Sequence, residues 1–546
     1  MKTDVLIVGA GPTGLMLANQ LARRGVRFMI IDRHSGPAQQ TRAMAVHART
    51  LEIYAKLNVI DDALALGARG DGADMWANGR WNARIPIADI GKEISPYPFV
   101  LMLGQDDNER ILGNKLESLG ASIAWQTELV TLEQGPNRVV ATLKRPDGSI
   151  EELEAAWVAG CDGSKSVVRE LNGIGFPGAP YEHTFFVADT EATGPMKPDG
   201  LNVYLWRHGF HLFFPMRGKD RWRVIGILPV ALRQKADLTF EEVEPAIRQA
   251  AGAALSFKSC SWFSTYRISH RAAERFRNGR CFLLGDAAHI HSPMGGQGMN
   301  TGLQDAYNLA WKLALVVQGR ARSELLDTYA EERMPVAKRL LETTDQAFRL
   351  VVSDTWIAAL LRTQVIARVA ARAMSFERIR KLAFRTLSQT GISYPKSTIS
   401  VTQGALPKGA PMAGDRFPWL RLNFQSDGSL EDLYERLDDT RFNLLVFGPS
   451  ALQETALDQF SDILRVHAVP VSPGNDAELG RMHISRPSFY LLRPDGHVAF
   501  CGTQLEAAKI ARFMTERLHL GVRQSTSPRQ QQSLRAPLNP VAREAA

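Results

Sequence analysis

The chain has 546 residues, more than one hydrophobic core can fill, so two to four domains are expected. With 45% hydrophobic and 22% charged residues it has an ordinary globular balance, which excludes disorder as the starting assumption. The net charge of +8 is spread along the chain without Lys/Arg blocks or aromatic-basic interleaving, so no nucleic-acid surface is expected, whereas anionic ligands such as pyrophosphate cofactors suit it.

The first segment, Asp4-Val-Leu-Ile-Val-Gly, is a short apolar run ending in glycine, followed by a helical pattern over 14–24 and a second apolar run over 27–31. That order predicts a β-α-β unit and a doubly wound, Rossmann-like α/β domain with a parallel sheet. The opening run is too short, and too closely preceded by Asp4, to be a signal segment, and no stretch approaches the roughly 18–20 apolar residues needed to span a bilayer. The four cysteines, Cys161, Cys260, Cys281 and Cys501, stand far apart with no CxxC or Cys/His ligand set. Neither a disulfide scaffold nor a metal site is expected, and the compartment is read as reducing and cytoplasmic.

Residues 70–98 are rich in Gly, Asp, Trp and Pro, and residues 184–229 alternate in places, as in Asn202-Val-Tyr-Leu-Trp. This pattern predicts half-buried antiparallel strands inserted into the α/β domain as a substrate-side sheet. Helix formers dominate 302–350 and 355–387, and the Gly/Pro-rich stretch 398–418 reads as a linker. Beyond it, strand-like runs at 443–447, 464–471, 488–493 and 497–501 follow a thioredoxin-like order without the redox CxxC, so a structural or dimer-forming role is expected. The expected division is 1–180 and 271–397 for the α/β domain, 181–270 for the inserted sheet and 398–522 for the C-terminal domain. The aperiodic tail 523–546 is expected to be disordered.

Chemistry enters at Gly9-Ala10-Gly11-Pro12-Thr13-Gly14, between the first strand and helix. There glycines permit a tight turn, close approach of pyrophosphate and close helix packing, and the helix offers free amides to phosphate. Asp32, eighteen residues after Gly14 and followed by Arg33, ends the second strand in position to accept from ribose hydroxyls. This fingerprint alone does not separate FAD from NAD. A distant pattern does, Leu283-Leu284-Gly285-Asp286-Ala287-Ala288-His289 followed by Pro293-Met294-Gly295-Gly296-Gln297-Gly298-Met299-Asn300. A strand ending in Gly285-Asp286 can aim a carboxylate at a ribityl hydroxyl, and a helix starting near Asn300 would point its positive end at a flavin pyrimidine. Asp286 as a plain helix N-cap is the alternative reading.

These residues closely resemble the group A flavoprotein aromatic hydroxylases of the para-hydroxybenzoate hydroxylase and phenol hydroxylase type. The resemblance runs over about 1–345 and includes Gly160-Cys161-Asp162-Gly163-Ser164-Lys165-Ser166-Val167-Val168-Arg169, which matches the family's motif for FAD and NAD(P)H. It implies flavin contacts from Arg42 and Gln105, with His47 and Arg49 in a segment typical of the phenol hydroxylase-like branch. The family more often has Glu at the position of Asp32. The C-terminal stretch around Pro411-Met-Ala-Gly-Asp-Arg-Phe-Pro418 resembles that branch as well.

The implied activity is hydroxylation of an aromatic, phenolic small molecule: NAD(P)H reduces FAD, O₂ adds at the flavin C4a, and the hydroperoxide delivers oxygen to the ring. No metal is needed. A base or relay that ionises the phenol would assist, and Tyr204, His208, His211, Tyr266 and Arg267 are the candidates, each with packing as the competing role. The pocket is expected from 206–214 and from the flavin-side loop 293–296, in which Pro293 is also a candidate. Other flavin redox chemistry on this fold, such as oxygen insertion beside a ketone or two-electron reduction, is the alternative, as is a flavin-binding protein without turnover.

Overall fold

The computed structural model describes residues 1–38, 43–207, 209–233, 235, 237–252, 254–291, 294–352, 376–425, 428–448 and 456–521. Arg42, His208, Pro293, part of the helix expected over 355–387 and the tail 523–546 lie outside the described residues.

β1 (Lys2–Val8) buries its last four residues and turns through Gly9 into α1 (Pro12–Ala22), which has proline in its first turn, where the missing amide costs nothing. The chain returns through β2 (Phe28–Ile31), parallel to β1. α2 (Ala48–Leu57) and α3 (Gln105–Ser118) follow, α3 packing on α1. β3 (Ile150–Gly160) then enters parallel to β1 on its other side.

The second sheet holds β4 (Gly178–Thr193), β5 (Gly200–Trp206), β6 (Gly209–Pro215), β7 (Arg221–Ile227) and, after α4 (Phe240–Ala251), β8 (Ser256–Ala272). Its eight-stranded order is 289–290, β8, β4, β7, β6, β5, 72–77, 80–85, so strands far apart in sequence share it. The pairs are antiparallel except one: β5 runs parallel to Gly72–Ala77. The expectation of half-buried strands holds at the sheet's edges and is corrected only as to which face α4 covers. α4 packs its apolar face, Phe240, Val243 and Ile247, on one side of the sheet, so Asn202 and Tyr204, which the alternation placed opposite the apolar residues, are buried as well.

β9 (Cys281–Leu283) rejoins the first sheet beside β3. Val8 is in register with Ile31 and Gly160, and Gly160 with Leu283, so four parallel strands end at one level. In open α/β sheets ligands bind at such carboxyl ends. α5 (Gly298–Val317) runs from that edge through the core, buried from Asn300 to Leu315, with α1 packed along it. α6 (Asp327–Val352) reaches back to β6 and β8, and α7 (Glu377–Leu387) lies over the segment 87–91.

The last sheet has the order 401–403, β13 (Val498–Gly502), β12 (Ser488–Leu492), β10 (Phe442–Phe447), β11 (Leu464–Val469), with α8 (Ala507–Glu516) after it. It shares a core with Trp311 and Leu315 of α5, so this sheet is anchored on the helix that leaves the ligand edge.

Candidate active site

Four motifs distant in sequence meet at the strand ends. Gly9 has φ of 102°, and a Cβ there would stand 2.4 Å from the Cys161 carbonyl oxygen and 2.9 Å from the Asp162 Cα. Gly14 is still tighter, 1.9 Å from the Gly9 carbonyl oxygen, whereas Gly11 opens onto free space with its nearest neighbour 4.0 Å away. That division suits a turn that packs on two sides and leaves the third for a phosphate. Leu15 donates the first helical bond, to Gly11, so the amides of Thr13 and Gly14 have no acceptor within α1.

Asp32 sits just past β2, its Oδ2 accepting from the Ala10 amide at 2.7 Å and its Oδ1 from the His34 amide at 2.9 Å. It thus fixes the glycine turn while its remaining lone pairs stay available for a ribose. Arg33, next in sequence, is exposed. Gln105 begins α3 and donates to Glu109 at 2.8 Å. Asp162 accepts from the Val168 amide at 3.0 Å through Oδ2, while its buried Oδ1 has no protein partner among the described residues. Burial pushes this carboxyl up, against hydrogen bonds from Ser166 and the Val168 amide.

Gly285 has φ of 58°, and a Cβ there or on Gly302 would come within 2.7 and 2.4 Å of the Thr13 hydroxyl, so the first turns of α1 and α5 meet at this side chain. Asp286 is the one exposed residue between Cys281 and His289, which turns it away from the core. Asp286 lies inside the 3-10 turn Gly285–Ala287, whose N-cap position is held by Leu284. Thr301 makes the first bond of α5, to Gln297, leaving the amides of Gly298, Met299 and Asn300 without helical acceptors. Two helix N-termini therefore offer amides at one edge, the arrangement that a pyrophosphate and an anionic flavin ring require.

Asn300 differs from expectation. Its Nδ2 donates to the carbonyls of Ala45 at 2.7 Å and Gly296 at 2.9 Å, and its Oδ1 accepts from the His47 amide and the Thr50 hydroxyl. The side chain is fully used in tying the 294–298 loop to 45–50, and only its amide remains for a cofactor. His47 completes this tie through Nε2 to the Gly295 carbonyl at 2.7 Å. Burial drives its imidazole down to about 4, so it is neutral at neutral pH. Gly296 has φ of 61° and no room for a side chain, its Cβ position lying 2.6 Å from that of Ala45.

Behind the loop lies a group that sequence reading passed over. Asp305 accepts from the Gly285 amide at 3.0 Å, from His289 Nε2 at 2.7 Å and from Arg333 Nε at 2.6 Å, and Arg333 also donates to the Tyr394 hydroxyl at 2.9 Å. Burial pushes the Asp305 carboxyl up, but Arg333 and His289 more than offset this and hold it low. The signal was a carboxylate on a helix of buried residues, within a turn of the glycine-lined start.

Of the relay candidates, two face away. Tyr204 and His211 are cross-strand partners on the face covered by α4. Tyr204 stacks on Trp76 with centroids 5.1 Å apart, and His211 on Trp206 at 5.5 Å. The Tyr204 hydroxyl and both His211 nitrogens have no partner among the described residues. Burial pushes the phenol up and the imidazole down to about 3, so neither is poised to exchange protons at neutral pH. A Cβ on Gly226 would strike His211 Nδ1 at 2.2 Å, which is why β7 carries glycine there. Arg267 is exposed. The opposite face carries Phe185, Leu205, Phe210 and Ile227, with Tyr266 half-buried beside Phe185. On that face Phe214 and Leu201 pack toward Ala45, next to the Gly296 loop. Thus within 209–214 only alternate residues look toward the cofactor edge. Among the described residues no group of three His, Cys, Asp or Glu side chains is set to hold a metal ion, and no helix is long and apolar enough to cross a membrane.

Strand-end glycines, two open helix starts and a buried carboxylate oxygen without a protein partner among the described residues fit a flavin dinucleotide and define an FAD-dependent oxidoreductase. An FAD binding domain model matches residues 2–344, and an aromatic-ring hydroxylase C-terminal model matches residues 410–519. The chain is 33% identical over 508 residues to 6-methylpretetramide 4-monooxygenase of Streptomyces rimosus, covering 91% of this chain and 90% of that protein. It is 31% identical over 480 residues to pentachlorophenol 4-monooxygenase of Sphingobium chlorophenolicum, covering 86% and 84%. The solved ternary complex of aklavinone-11 hydroxylase with FAD and aklavinone superposes with a TM-score of 0.77 at 26% identity, over 95% of this chain and 99% of that one. The chain belongs to the FAD-dependent aromatic-ring hydroxylases. It is a monooxygenase that takes FAD as cofactor and consumes NAD(P)H and O₂.

Proposed function

We propose that this enzyme hydroxylates a polycyclic phenol held between the apolar face of the second sheet and the 294–298 loop. The observation that supports this reading is the apolar face of the second sheet, where the half-buried Met75, Val203, Leu212 and Tyr266 form a wall over the buried Phe185, Leu205, Phe210 and Ile227. Such a wall suits a broad planar ligand. Relatives named for 6-methylpretetramide and rifampicin, and the structure holding aklavinone, support the same class.

The bound FAD, reduced by NAD(P)H, supplies the activation of O₂. The chain supplies the rest. Gly9, Gly11, Pro12, Thr13 and Gly14 seat the pyrophosphate, Asp32 and Asp286 accept from the sugar and ribityl hydroxyls, and the amides of Gly298, Met299 and Asn300 hold the ring's polar edge. Gln105, Arg33 and Asp162 complete the seat, together with Arg42 and Pro293. Tyr266 hydrogen-bonds the phenol and helps its proton leave, while the apolar wall excludes water. The last sheet has β10 beside β11 and β12, and β13 outside β12, an order that supports reading it as a thioredoxin-like domain. With no CxxC its role is structural or dimer-forming, and the scattered cysteines support a cytoplasmic setting.

Tyr266→Phe should shift the pH profile of kcat for hydroxylation, whereas Tyr204→Phe and His211→Phe should leave it where it is. A shifted profile in either of the latter two would return the relay to the α4 face. The substrate class is tested by turnover under labelled O₂ with matched panels of monocyclic and polycyclic phenols. One labelled oxygen is expected in the polycyclic products, and incorporation into monocyclic phenols alone would reject the class.

A further inference from the structure

We propose that Glu109 borders the pyrophosphate seat and takes up one proton from solvent when FAD binds. The inference rests on the FAD seat proposed above. Gly11 is the glycine of the turn that faces open space, and the atom nearest its missing side chain is Glu109 Oε1, 4.0 Å from the Cβ position. A carboxylate therefore stands beside the space that the amides of Thr13 and Gly14 offer to a dianion.

Glu109 cannot easily swing away. It is 4% exposed on the face of α3 that packs on α1, its Oε2 accepts from the Ala38 amide at 2.7 Å and its Oε1 from Gln105 Nε2 at 2.8 Å. These bonds anchor the segment leaving β2 and the start of α3. Among the described residues the charged groups acting on it are Asp32, from the end of β2, and Asp106, on its own helix, both negative. His34 is turned onto Asp32, the first turn of α1 carries no charged side chain, and no cation pairs with Glu109 among the described residues.

Burial, reinforced by these two carboxylates, already pushes the Glu109 carboxyl up against its two hydrogen bonds. A pyrophosphate dianion alongside pushes in the same direction. Protonation, COO⁻ plus H⁺ giving COOH, removes the repulsion without moving the side chain and leaves an O–H that can donate. The bound state then has the higher proton affinity, so binding takes up protons at pH values between the free and bound pKa, and FAD affinity falls as pH rises through that window.

The test is calorimetric titration of FAD into apoprotein prepared from the holoenzyme, in buffers of different ionisation enthalpy. Wild type should take up protons on binding FAD, up to one per FAD, its Kd weakening by up to about tenfold per pH unit as pH rises between the free and bound values of this carboxyl. Glu109→Gln, which keeps the shape and can still accept from Ala38, should bind with no such uptake and a flat pH dependence. Infrared difference spectra of wild type on FAD binding should gain a protonated-carboxyl stretch, a readout that needs no variant. Wild-type binding without proton uptake, uptake retained in Glu109→Gln, or no new carboxyl stretch would each overturn the proposal alone. Absence of any FAD binding heat would overturn the seat and the proposal together.

Discussion

Gly14→Ala should fold and purify nearly free of FAD. The added Cβ would sit 1.9 Å from the Gly9 carbonyl oxygen and 3.3 Å from the Cys161 Cβ, roughly 1.5 Å inside a normal carbon–oxygen contact. Neither neighbour is a side-chain end that can rotate away. Gly9 is itself wedged against Cys161 and Asp162, so relief must come from moving α1 relative to the strand ends, which displaces the amides of Thr13 and Gly14 from the pyrophosphate. Overpacking of this kind costs about 3 kcal/mol, on the order of 100-fold in FAD affinity. The ratio of flavin to protein absorbance in the purified variant, and its Kd on titration, measure this. Gly113→Ala is the matched control: it lies within α3 with nothing within 4 Å of the added carbon. It should keep full FAD occupancy and gain about 0.5–1 kcal/mol in stability.

The same glycines explain what was legible beforehand. Gly9 and Gly14 answer to local backbone demands, a positive φ or a close approach, and Gly11 to the open space beside the turn, so spacing alone located the turn between β1 and α1. The Gly285-Asp286 and Asp162-Gly163 motifs read equally well because each closes a strand of the same sheet. Between a relay and a packing role for Tyr204 and His211 the sequence could not decide, for a physical reason. Period-two alternation separates the two faces of a strand, but which face receives a helix depends on α4, some thirty residues further on. Asn300 stood inside a cofactor motif, yet its side chain is consumed by partners near residue 45. Glu109 and Asp305 were harder to pick out, since the Ala38 amide that holds the one and the His289 and Arg333 side chains that hold the other arrive from other elements.

The other large effect is at the contact between the last sheet and the flavin-binding core. Arg493, at the end of β12, donates from Nη1 to Glu332 Oε1 at 2.6 Å and from Nε to Asp495 at 3.0 Å. Glu332, on α6, also accepts from Lys312 of α5 at 2.7 Å, and all four side chains are at most 2% exposed. Two positive and two negative charges thus balance out of water, bridging residues up to 183 positions apart, from Lys312 to Asp495. Arg493→Met leaves a net negative charge buried, a loss of about 3–5 kcal/mol. It should lower the thermal midpoint by several degrees and loosen the last sheet from α5. Arg493→Met with Glu332→Met restores the balance and should recover part of the loss, because an apolar replacement of a whole ion pair is often tolerated. The pH dependence gives a sharper check. In the wild type the Glu332 carboxyl is held at about 2, burial pushing it up and Arg493 and Lys312 pulling it down further. That lies below its unfolded value, so its contribution is present above about pH 4.5 and is lost as pH falls toward 2. Without Arg493 the burial effect loses its strongest opponent and the folded carboxyl rises. The variant then gains by protonation on acidification, and its deficit against wild type should be largest near pH 7 and shrink toward pH 5. A deficit that stays constant over that range would mean that Arg493 acts through packing on Trp311 and Tyr394, over whose rings it also lies, and not through the charge of Glu332.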